Sequence, residues 1–260
     1  MSTHGRPKGE YRSAQHEGTL MSLHGLATVM AEAPGAASDA ALQVVAVDAA
    51  FIVVDKPAGL LAVPGRGEAK RDCLAARVQA AWPDALVVHR LDQATSGLLL
   101  FARGTEAQRA LSRAFAARTV GKRYVAVVAG RLAPERGSID APLGADWPRR
   151  PRQQVDREHG KPSVTHWRVL GHDGEHGTTR VELEPVTGRS HQLRVHLQSI
   201  GHPILGDALY APQAVCDESL RLLLHASDLA FAHPLGGQPL RFVSPVPFCA
   251  VLSGTWPRRR

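Results

Sequence analysis

The sequence has few cysteines and few aromatic residues, and each shortage argues against a class of protein. Cysteine occurs only at Cys73, Cys216 and Cys249, and no two of these form a C-x-x-C pair. This odd, scattered set argues against a disulfide framework and a structural zinc site, and it fits a reducing cytoplasm. Aromatic residues make up 5% of the 260-residue chain, without the aromatic run expected of a base-stacking platform.

Long apolar runs are also missing. The longest, such as "GLLLFA", are far too short to cross a bilayer. The N-terminal stretch "LMSLHGLATVMAEAPGAASDA" is mildly apolar and ends in small residues like a signal peptide, but His24 and Glu32 interrupt it. We therefore expect residues 1–40 to be a disordered leader and residues 41–260 to form the folded domain. Met21 is an alternative start of the chain.

Acidic residues are outnumbered by basic ones. The chain has 31 Lys and Arg against 24 Asp and Glu, which gives a formal net charge of +7. A basic balance favours polyanionic partners, either nucleic acid or an anionic membrane surface, although it also serves solubility alone. No amphipathic basic helix is evident, so a membrane partner is not expected.

The predicted elements are mainly short strands. "LQVVAVDAAFIVVDKPAG" contains two apolar runs around Asp48-Ala49-Ala50, which is the pattern of a strand pair. Further strands are predicted at Val87-Val88, at Gly97–Ala102 and in "KRYVAVVAG", "SVTHWRVL", "TTRVELEPV" and "RLLLHASDLAFAHP". The segment "DWPRRPRQQVDREHGKP" is typical of a loop. Few helices and hairpin-like spacing favour the α+β class, with a mixed, mostly antiparallel sheet and flanking helices.

Helices are predicted where a polar residue precedes a run with apolar residues on one face. In each case the side chain of that residue would cap a free N–H of the first turn. The predicted caps and helix ends are Asp72 to about Ala81, Thr105 (in a capping box with Gln108) to about Arg118, and Ser190 to about Ile200.

A polar segment separates two predicted strands in "VVHRLDQATSGLLLFAR", which starts at Val87. Asp92 lies in this segment, with Arg90 before it and Thr95 after it. An Asp in a turn commonly bonds backbone N–H groups, and that structural role is one interpretation. The other interpretation is chemical, because a carboxylate held by an arginine stays ionised and can act as a nucleophile or a base.

A second polar cluster lies in "TGRSHQLRVHLQSIGHPILGD", residues 187–207. The residues at or near the predicted helix start are Arg189, His191, Gln192, Arg194 and His196. Backbone N–H groups at such a start favour anions, including phosphates, although a solvated polar face is the alternative. The five-residue spacing of the two histidines, with no Glu between them, does not match a zinc-binding helix, so no metal site is predicted.

Four motifs in order make the sequence resemble the RluA family of RNA pseudouridine synthases: "DKPAGLLAVPG", "HRLDQATSGLLLFA", "TGRSHQLRVH" and "GHPILGD". The similarity runs from about Val44 to about Val246, and "ADWPRRPRQQV" with "GKPS" is similar to the short-form members. The resemblance implies the pseudouridine synthase fold with a central catalytic cleft and no separate N-terminal RNA-binding domain. It also implies isomerisation of uridine to pseudouridine in structured RNA, with no metal or organic cofactor.

The resemblance implies roles for individual residues. Asp92 matches the catalytic aspartate of the family, and Arg194 matches the arginine paired with it. Tyr124 matches the tyrosine that stacks on the target base and is a candidate for proton removal, and Arg90 matches the arginine that fills the space of the flipped uridine. The remaining expected residues contact the RNA or assist flipping (His89, Thr95, Arg189, His191 and Gln192) or form an apolar wall of the uracil pocket (Ile204 and Leu205).

The implied substrates are a uridine in a 23S rRNA loop and one in the anticodon arm of tRNA. The protein is expected to be a cytoplasmic monomer, and the Arg-rich loop Arg149–Arg157 is either an RNA contact or a solvated loop. Three chemical paths stay open: Asp92 attacks the anomeric carbon, attacks carbon 6 of uracil, or removes the sugar 2′ proton. Two other interpretations of the protein also stay open, a nucleoside glycosylase and a non-catalytic RNA-binding protein.

Overall fold

The computed structural model describes residues 42–65, 67–68 and 71–248 of the chain. The leader expected for residues 1–40, the alternative start at Met21 and the third cysteine, Cys249, lie outside the described residues. None of the described helices is long and apolar enough to cross a membrane.

Strands outnumber helices in the described chain. The strands are β1 (Gln43–Val47), β2 (Phe51–Lys56), β3 (Ala85–Val87), β4 (Ser96–Arg103), β5 (Gly121–Ala129), β6 (Arg136–Asp140), β7 (Leu143–Ala145), β8 (Gln153–Val155), β9 (Val164–Asp173), β10 (Thr178–Pro185), β11 (Leu224–Ala232) and β12 (Pro239–Val243). The helices are α1 (Leu74–Ala81), α2 (Gly104–Ala116), α3 (Gln192–Ser199) and α4 (Gln213–Asp217).

Ten of the strands form one sheet. Their order is β1-β2-β4-β11-β5-β10-β9-β6, with β3 paired to β4 and β12 paired to β11, and β7 and β8 form a separate hairpin. The β4–β11 pair is parallel, whereas the other pairs among the described strands are antiparallel. This mixed, mostly antiparallel sheet with few helices confirms the α+β prediction.

β4 lies inside the core because its sequence, "SGLLLFAR", is apolar on both faces. Since successive side chains of a strand point to opposite faces, Leu99 and Phe101 pack with residues of α1, whereas Leu98 and Leu100 pack with residues of α2. All four are at most 2% exposed. Burying a side chain of this size stabilises a fold by about 1.5–3 kcal/mol, so β4 is a firm support for the polar segment that precedes it.

A set of hydrogen-bonded polar residues joins β2, β4 and β11. We call this set the sheet network, and its members are Asp55, Ser96, Arg221, His225 and Ser244. The ring of His225 lies 2.9 Å from Ser96 Oγ on one side and 2.9 Å from Ser244 Oγ on the other. Ser244 donates to the Asp55 carboxylate, and Arg221 donates to Ser96 Oγ. Burial lowers the pKa of His225, so its ring is neutral at neutral pH.

The predicted cap of α1 is wrong, although the helix itself occurs. The helix begins at Leu74, and Cys73 Sγ accepts the hydrogen bond from the Ala76 N–H. Asp72 instead forms an ion pair with Arg77, at 2.7 Å. A carboxylate near a helix start can serve either the backbone or a cation one turn along, and here it bonds the cation.

The capping box predicted for α2 is also wrong. The helix begins at Gly104, two residues earlier than a Thr105 cap allows, and the residue at the cap position, Arg103, makes no capping bond with its side chain. The Gln108 side chain reaches out of the helix and donates to the Val87 carbonyl of β3. This tertiary hydrogen bond replaces the local one that the sequence pattern predicts.

The Arg-rich segment after β7 is not the continuous loop that its composition predicts. It contains a 3-10 turn, Trp147–Arg149, and the strand β8, which pairs with β7. Trp147 is 68% exposed, and the Arg150 guanidinium carbon lies 3.6 Å from the centre of the indole ring. This part of the chain therefore presents a stacked Trp–Arg pair to solvent.

Candidate active site

A cavity of about 530 Å³ opens between three parts of the chain. The first is the segment that joins β3 to β4, the second is β5, and the third is the turn that leads from β10 into α3. Its volume lies in the range of small-molecule sites. Most of the predicted site residues line it: His89, Arg90, Asp92, Thr95, Tyr124, Arg189, His191, Gln192 and Arg194.

Hydrogen bonds from a buried lysine and within a turn fix the backbone around Asp92. The Lys56 ammonium, which is 0% exposed, donates to the carbonyls of Gln93, Leu60 and Pro57 at 2.7–3.0 Å. The Thr95 N–H donates to the Asp92 carbonyl at 3.1 Å, which closes a turn. Burial lowers the pKa of Lys56 to about 8, against the opposing effect of the Asp92 charge. The acceptors of these bonds are all backbone carbonyls, so the Asp92 carboxylate stays available to the cavity.

The Asp92 carboxylate makes only long contacts within the described protein. Its side chain is 23% exposed, and its Oδ2 lies 3.5 Å from Arg194 Nη1 and 4.0 Å from His191 Nε2. Neither contact is a short charge-assisted hydrogen bond, which would lie near 2.7–2.9 Å. The carboxylate is therefore oriented by positive charge but keeps room for a further partner.

The expected ion pair between Asp92 and Arg194 is present, but the shorter bonds of Arg194 go to a second carboxylate, Asp207. The guanidinium of Arg194, which is 5% exposed, donates two short bonds to Asp207, at 2.6 and 2.8 Å. Asp207 is 1% exposed and also accepts the N–H groups of Leu209 and Tyr210. Burial acts to lower the pKa of Arg194, but the bonds and charge of Asp207 outweigh it and raise that pKa. The arginine is thus locked by Asp207 and offers one nitrogen to Asp92.

His191 stands beside this cluster in an unusual backbone conformation. Its φ is 56°, in the left-handed region, and it directly precedes the first residue of α3. The Ser190 cap predicted for this helix is wrong, because Ser190 Oγ accepts a hydrogen bond from Arg90 instead, at 3.1 Å. The His191 Nδ1 lies 2.6 Å from the Tyr210 hydroxyl, and burial lowers the pKa of the ring.

Tyr124 and Arg90 both line the cavity. Tyr124 belongs to β5, and burial, followed by the charge of Asp92, raises the pKa of its hydroxyl well above the ordinary value. The phenol therefore stays protonated in the free protein. Arg90 is exposed, and its bond to Ser190 ties the β3–β4 segment to the turn before α3 across 100 positions of sequence.

Three other predicted residues form the framework of the cavity. His89 Nε2 accepts the Leu100 N–H at 2.9 Å, and burial, together with the charge of Lys122, lowers the pKa of His89 to about 3. Thr95 is 2% exposed. The buried Gln192 amide is fully used, since Oε1 accepts two hydrogen bonds and Nε2 donates two. One of these bonds holds the Arg189 backbone, so Gln192 shapes the turn that carries Arg189.

Ile204 and Leu205 do not line the cavity. Both are 1% exposed and pack behind β5, where Ile204 forms a bridge with Val128. The aliphatic residues that line the cavity are Leu91, Leu193 and Leu224, together with Val88 and Val186.

His196, the remaining member of the second cluster, lies outside the cavity in the core. Its ring is 0% exposed and bonds Thr165 Oγ1 and the Ala141 carbonyl. No group of three or more His, Cys, Asp or Glu within the described ranges could hold a metal ion.

Sequence reasoning missed two residues that shape the site, Asp207 and Lys56. Both occur in quoted motifs, at the end of "GHPILGD" and the start of "DKPAG". Nothing in the spacing of Asp207 shows that it faces Arg194, because the two lie on different elements, 13 positions apart. A lysine between a strand and a proline is commonly exposed, and only the fold shows that three carbonyls surround it.

The chain is similar to known proteins over most of its length. Residues 50–199 match a family model described as RNA pseudouridylate synthase. Two curated relatives are named dual-specificity RNA pseudouridine synthase RluA. The one from Yersinia pestis is 49% identical over 195 residues, which cover 75% of this chain and 94% of the relative. The one from Escherichia coli K12 is 48% identical over 198 residues, which cover 76% and 90%.

A solved structure shares the fold. The structure of human RNA pseudouridylate synthase domain containing 1 has a TM-score of 0.68 and 30% sequence identity to this chain. The match covers 83% of this chain and 87% of the human one.

Proposed function

The chain belongs to the RNA pseudouridylate synthase family and is an isomerase that acts on RNA; from this premise we propose that Asp92 is its catalytic residue. In the reaction the bond from the sugar to N1 of uracil breaks, and a bond from the sugar to C5 forms. C5 loses its proton and N1 gains one, so the atoms balance without a redox partner.

The geometry of Asp92 supports this proposal best. A nucleophile or base needs an ionised carboxylate that is held in place but not fully bonded. Asp92 has this combination, since Arg194 lies at 3.5 Å while the two short bonds of that arginine go to Asp207. The carboxylate can attack the anomeric carbon, attack carbon 6 of uracil, or remove the 2′ proton, and the geometry suits all three paths.

The target base must leave the RNA stack before it can reach Asp92, at a cost of a few kcal/mol. We assign Arg90, exposed at the opening, to the space that the base vacates, and Tyr124 to stacking on the flipped base. Stacking of a base on an aromatic ring contributes roughly 1–3 kcal/mol, which offsets much of that cost. The raised pKa of the Tyr124 hydroxyl keeps the phenol protonated, which favours stacking over proton removal.

The proposed substrates are uridines in a 23S rRNA loop and in a tRNA anticodon arm, in keeping with the dual specificity in the relatives' names. Specific recognition of RNA usually targets loops with splayed bases. The exposed Trp147–Arg150 stack and its neighbouring arginines fit a contact to such a hairpin. We further propose that the enzyme works as a cytoplasmic monomer without a membrane partner.

The test is release of tritium from RNA labelled at carbon 5 of uridine, with 23S rRNA and tRNA transcripts offered separately. Wild type, Asp92→Asn and the control Asp72→Asn would be compared, because Asp72 is an exposed carboxylate outside the cavity. We expect Asp92→Asn to lower turnover by about 10²–10⁴-fold and Asp72→Asn to leave it unchanged.

Free uracil is measured in the same tubes. Its appearance would indicate a glycosylase and contradict the isomerisation. Full activity of Asp92→Asn would overturn the role of Asp92, and release from only one RNA would reduce the proposal to a single specificity.

A further inference from the structure

Positive side chains crowd the mouth of the cavity. Arg90, Arg118 and Arg189 are exposed there, and Lys122 lies among them, half-buried in its wall. Asp92 is the one carboxylate among the described residues that line the cavity. The mouth therefore carries more positive charge than the protein itself neutralises.

Lys122 differs from the exposed arginines around it because its side chain is half-buried and therefore partly removed from water. It lies on β5 two residues before Tyr124, so both side chains leave the strand on the same face. No described residue accepts a hydrogen bond from its ammonium or forms an ion pair with it, and desolvation lowers its pKa. A half-buried cation without a partner is costly, and an anion that binds there removes that cost.

The space next to the Lys122 ammonium is open. A β-carbon added at Gly188 would lie 3.9 Å from Lys122 Nζ, so the turn before Arg189 passes close by without placing a side chain there. His89 also lines the cavity; burial and the charge of Lys122 lower its pKa to about 3, and it accepts the Leu100 N–H. Neither neighbour supplies a negative charge.

We propose that Lys122 binds a phosphate of the RNA backbone next to the target uridine, together with Arg189 at the mouth of the cavity. This inference depends on the proposed function, since RNA supplies the anion. A lysine ammonium binds phosphate as a compact point charge, and uracil itself is neutral. With the base stacked on Tyr124, the sugar–phosphate chain leaves the cavity past Lys122, two residues along the same strand face.

The experiment measures binding of an anticodon stem-loop transcript over a range of salt concentrations. All proteins carry Asp92→Asn, which prevents turnover. Lys122→Met, Lys122→Gln and Lys122→Arg are compared with the parent and with the control Arg136→Met, whose exposed arginine lies on β6 outside the cavity. Thermal melting of each variant checks that it is folded, and Lys122→Gln serves if the methionine variant is not.

We expect Lys122→Met and Lys122→Gln to weaken binding about tenfold at low salt and to reduce the salt slope by about one. Lys122→Arg keeps the slope, and so does Arg136→Met. A slope unchanged in the folded methionine or glutamine variant overturns the proposal. Weaker binding with an unchanged slope also overturns it, since a neutral group of the RNA would then be the partner.

The tritium-release assay tests the proposed function independently of the binding experiment. If wild type releases no tritium from either RNA, the assigned reaction fails whatever the salt slopes show. If wild type is active and the Lys122 variants bind with parental slopes, only the phosphate assignment fails.

Discussion

The sheet network and the cavity around Asp92 contain the same types of charged and polar side chain, but they differ in how closely those side chains are hydrogen-bonded to one another. The sheet network joins Asp, Arg, His and Ser so that every member has a partner within the set. The cavity also combines Asp, Arg and His. The nearest nitrogens to the carboxylate of Asp92, however, are Arg194 Nη1 at 3.5 Å and His191 Nε2 at 4.0 Å. Because the members of the sheet network bond one another, the network serves structure, whereas the long contacts of Asp92 leave room for a substrate.

The difference arises from a second carboxylate. In the cavity, Arg194 donates its two short hydrogen bonds to Asp207 and makes only the longer contact with Asp92. In the sheet network, Ser96 and Ser244 bridge the charged groups, so no carboxylate is left over. The cavity therefore contains a carboxylate that makes no short hydrogen bond, and the proposed chemistry uses its remaining bonding capacity.

The largest expected effect comes from removing that second carboxylate with Asp207→Asn. The change leaves Arg194 buried with only Asp92 nearby, and breaking such a pair costs about 3–5 kcal/mol of unfolding free energy. Tritium release should fall as well, because Arg194 loses its position. Urea denaturation and the release assay measure the two effects.

The matched control for this prediction is Asp92→Asn. Its carboxylate makes no short bond, so the unfolding free energy should stay within about 0.5 kcal/mol of wild type. If the unfolding free energy of Asp207→Asn equalled that of wild type, Asp92 alone would be enough to hold Arg194. The proposed difference between the two carboxylates would then be wrong.

A smaller effect is expected in the sheet network. His225→Ala removes one hydrogen-bond partner from Ser96 and one from Ser244 in the interior, which should cost about 1–3 kcal/mol. Turnover per folded molecule should stay close to wild type, since the ring lies outside the cavity. Thermal melting and the release assay are again the measurements, with the exposed His159→Ala as control. Loss of turnover in a stably folded variant would place the network in the catalytic machinery.

His89 tests the same comparison, because it lines the cavity but its ring accepts a hydrogen bond from the backbone of β4, as a structural residue would. Its pKa is about 3 in the folded protein and near 6.5 when unfolded. Below pH 6.5 the unfolded chain binds a proton that the folded protein rejects, so stability falls as the pH is lowered towards 3. Urea denaturation at pH 7, 6 and 5 should show a steeper decline for wild type than for His89→Gln, by up to about 1.4 kcal/mol per pH unit. Equal slopes would contradict the framework role.

Sequence patterns predict the strands well and the helix caps poorly. β1, β2, β4 and β5 follow from apolar runs, whose burial is decided by composition alone. The caps depend on a choice between partners of similar strength, and an arginine side chain replaced the backbone as the partner of both Asp72 and Ser190. Short strands such as β6 and β12 were not predicted, since their exposed positions leave no continuous apolar run.

The candidate site was predictable in its members but not in its pairing. Asp92, Arg194 and Tyr124 stand in motifs that the family resemblance identifies, and they do line one cavity. Asp207 could not be recognised, because its role depends on a turn that brings it within 2.6 Å of Arg194. Ile204 and Leu205 were misplaced for the same reason, since an apolar pair in a motif does not show which side of a strand it covers.

The parallel pairing of β4 with β11 has a consequence for the time at which the enzyme becomes active. Ser96 and His225 are 129 positions apart, and Asp92 and Arg194 are 102 apart. A ribosome adds about 5–20 residues per second, so Asp92 emerges about 5–20 seconds before its arginine. On the proposed mechanism the nascent chain is inert towards the RNA around it until Arg194 and Asp207 have emerged, and a product truncated before Asp207 would remain so.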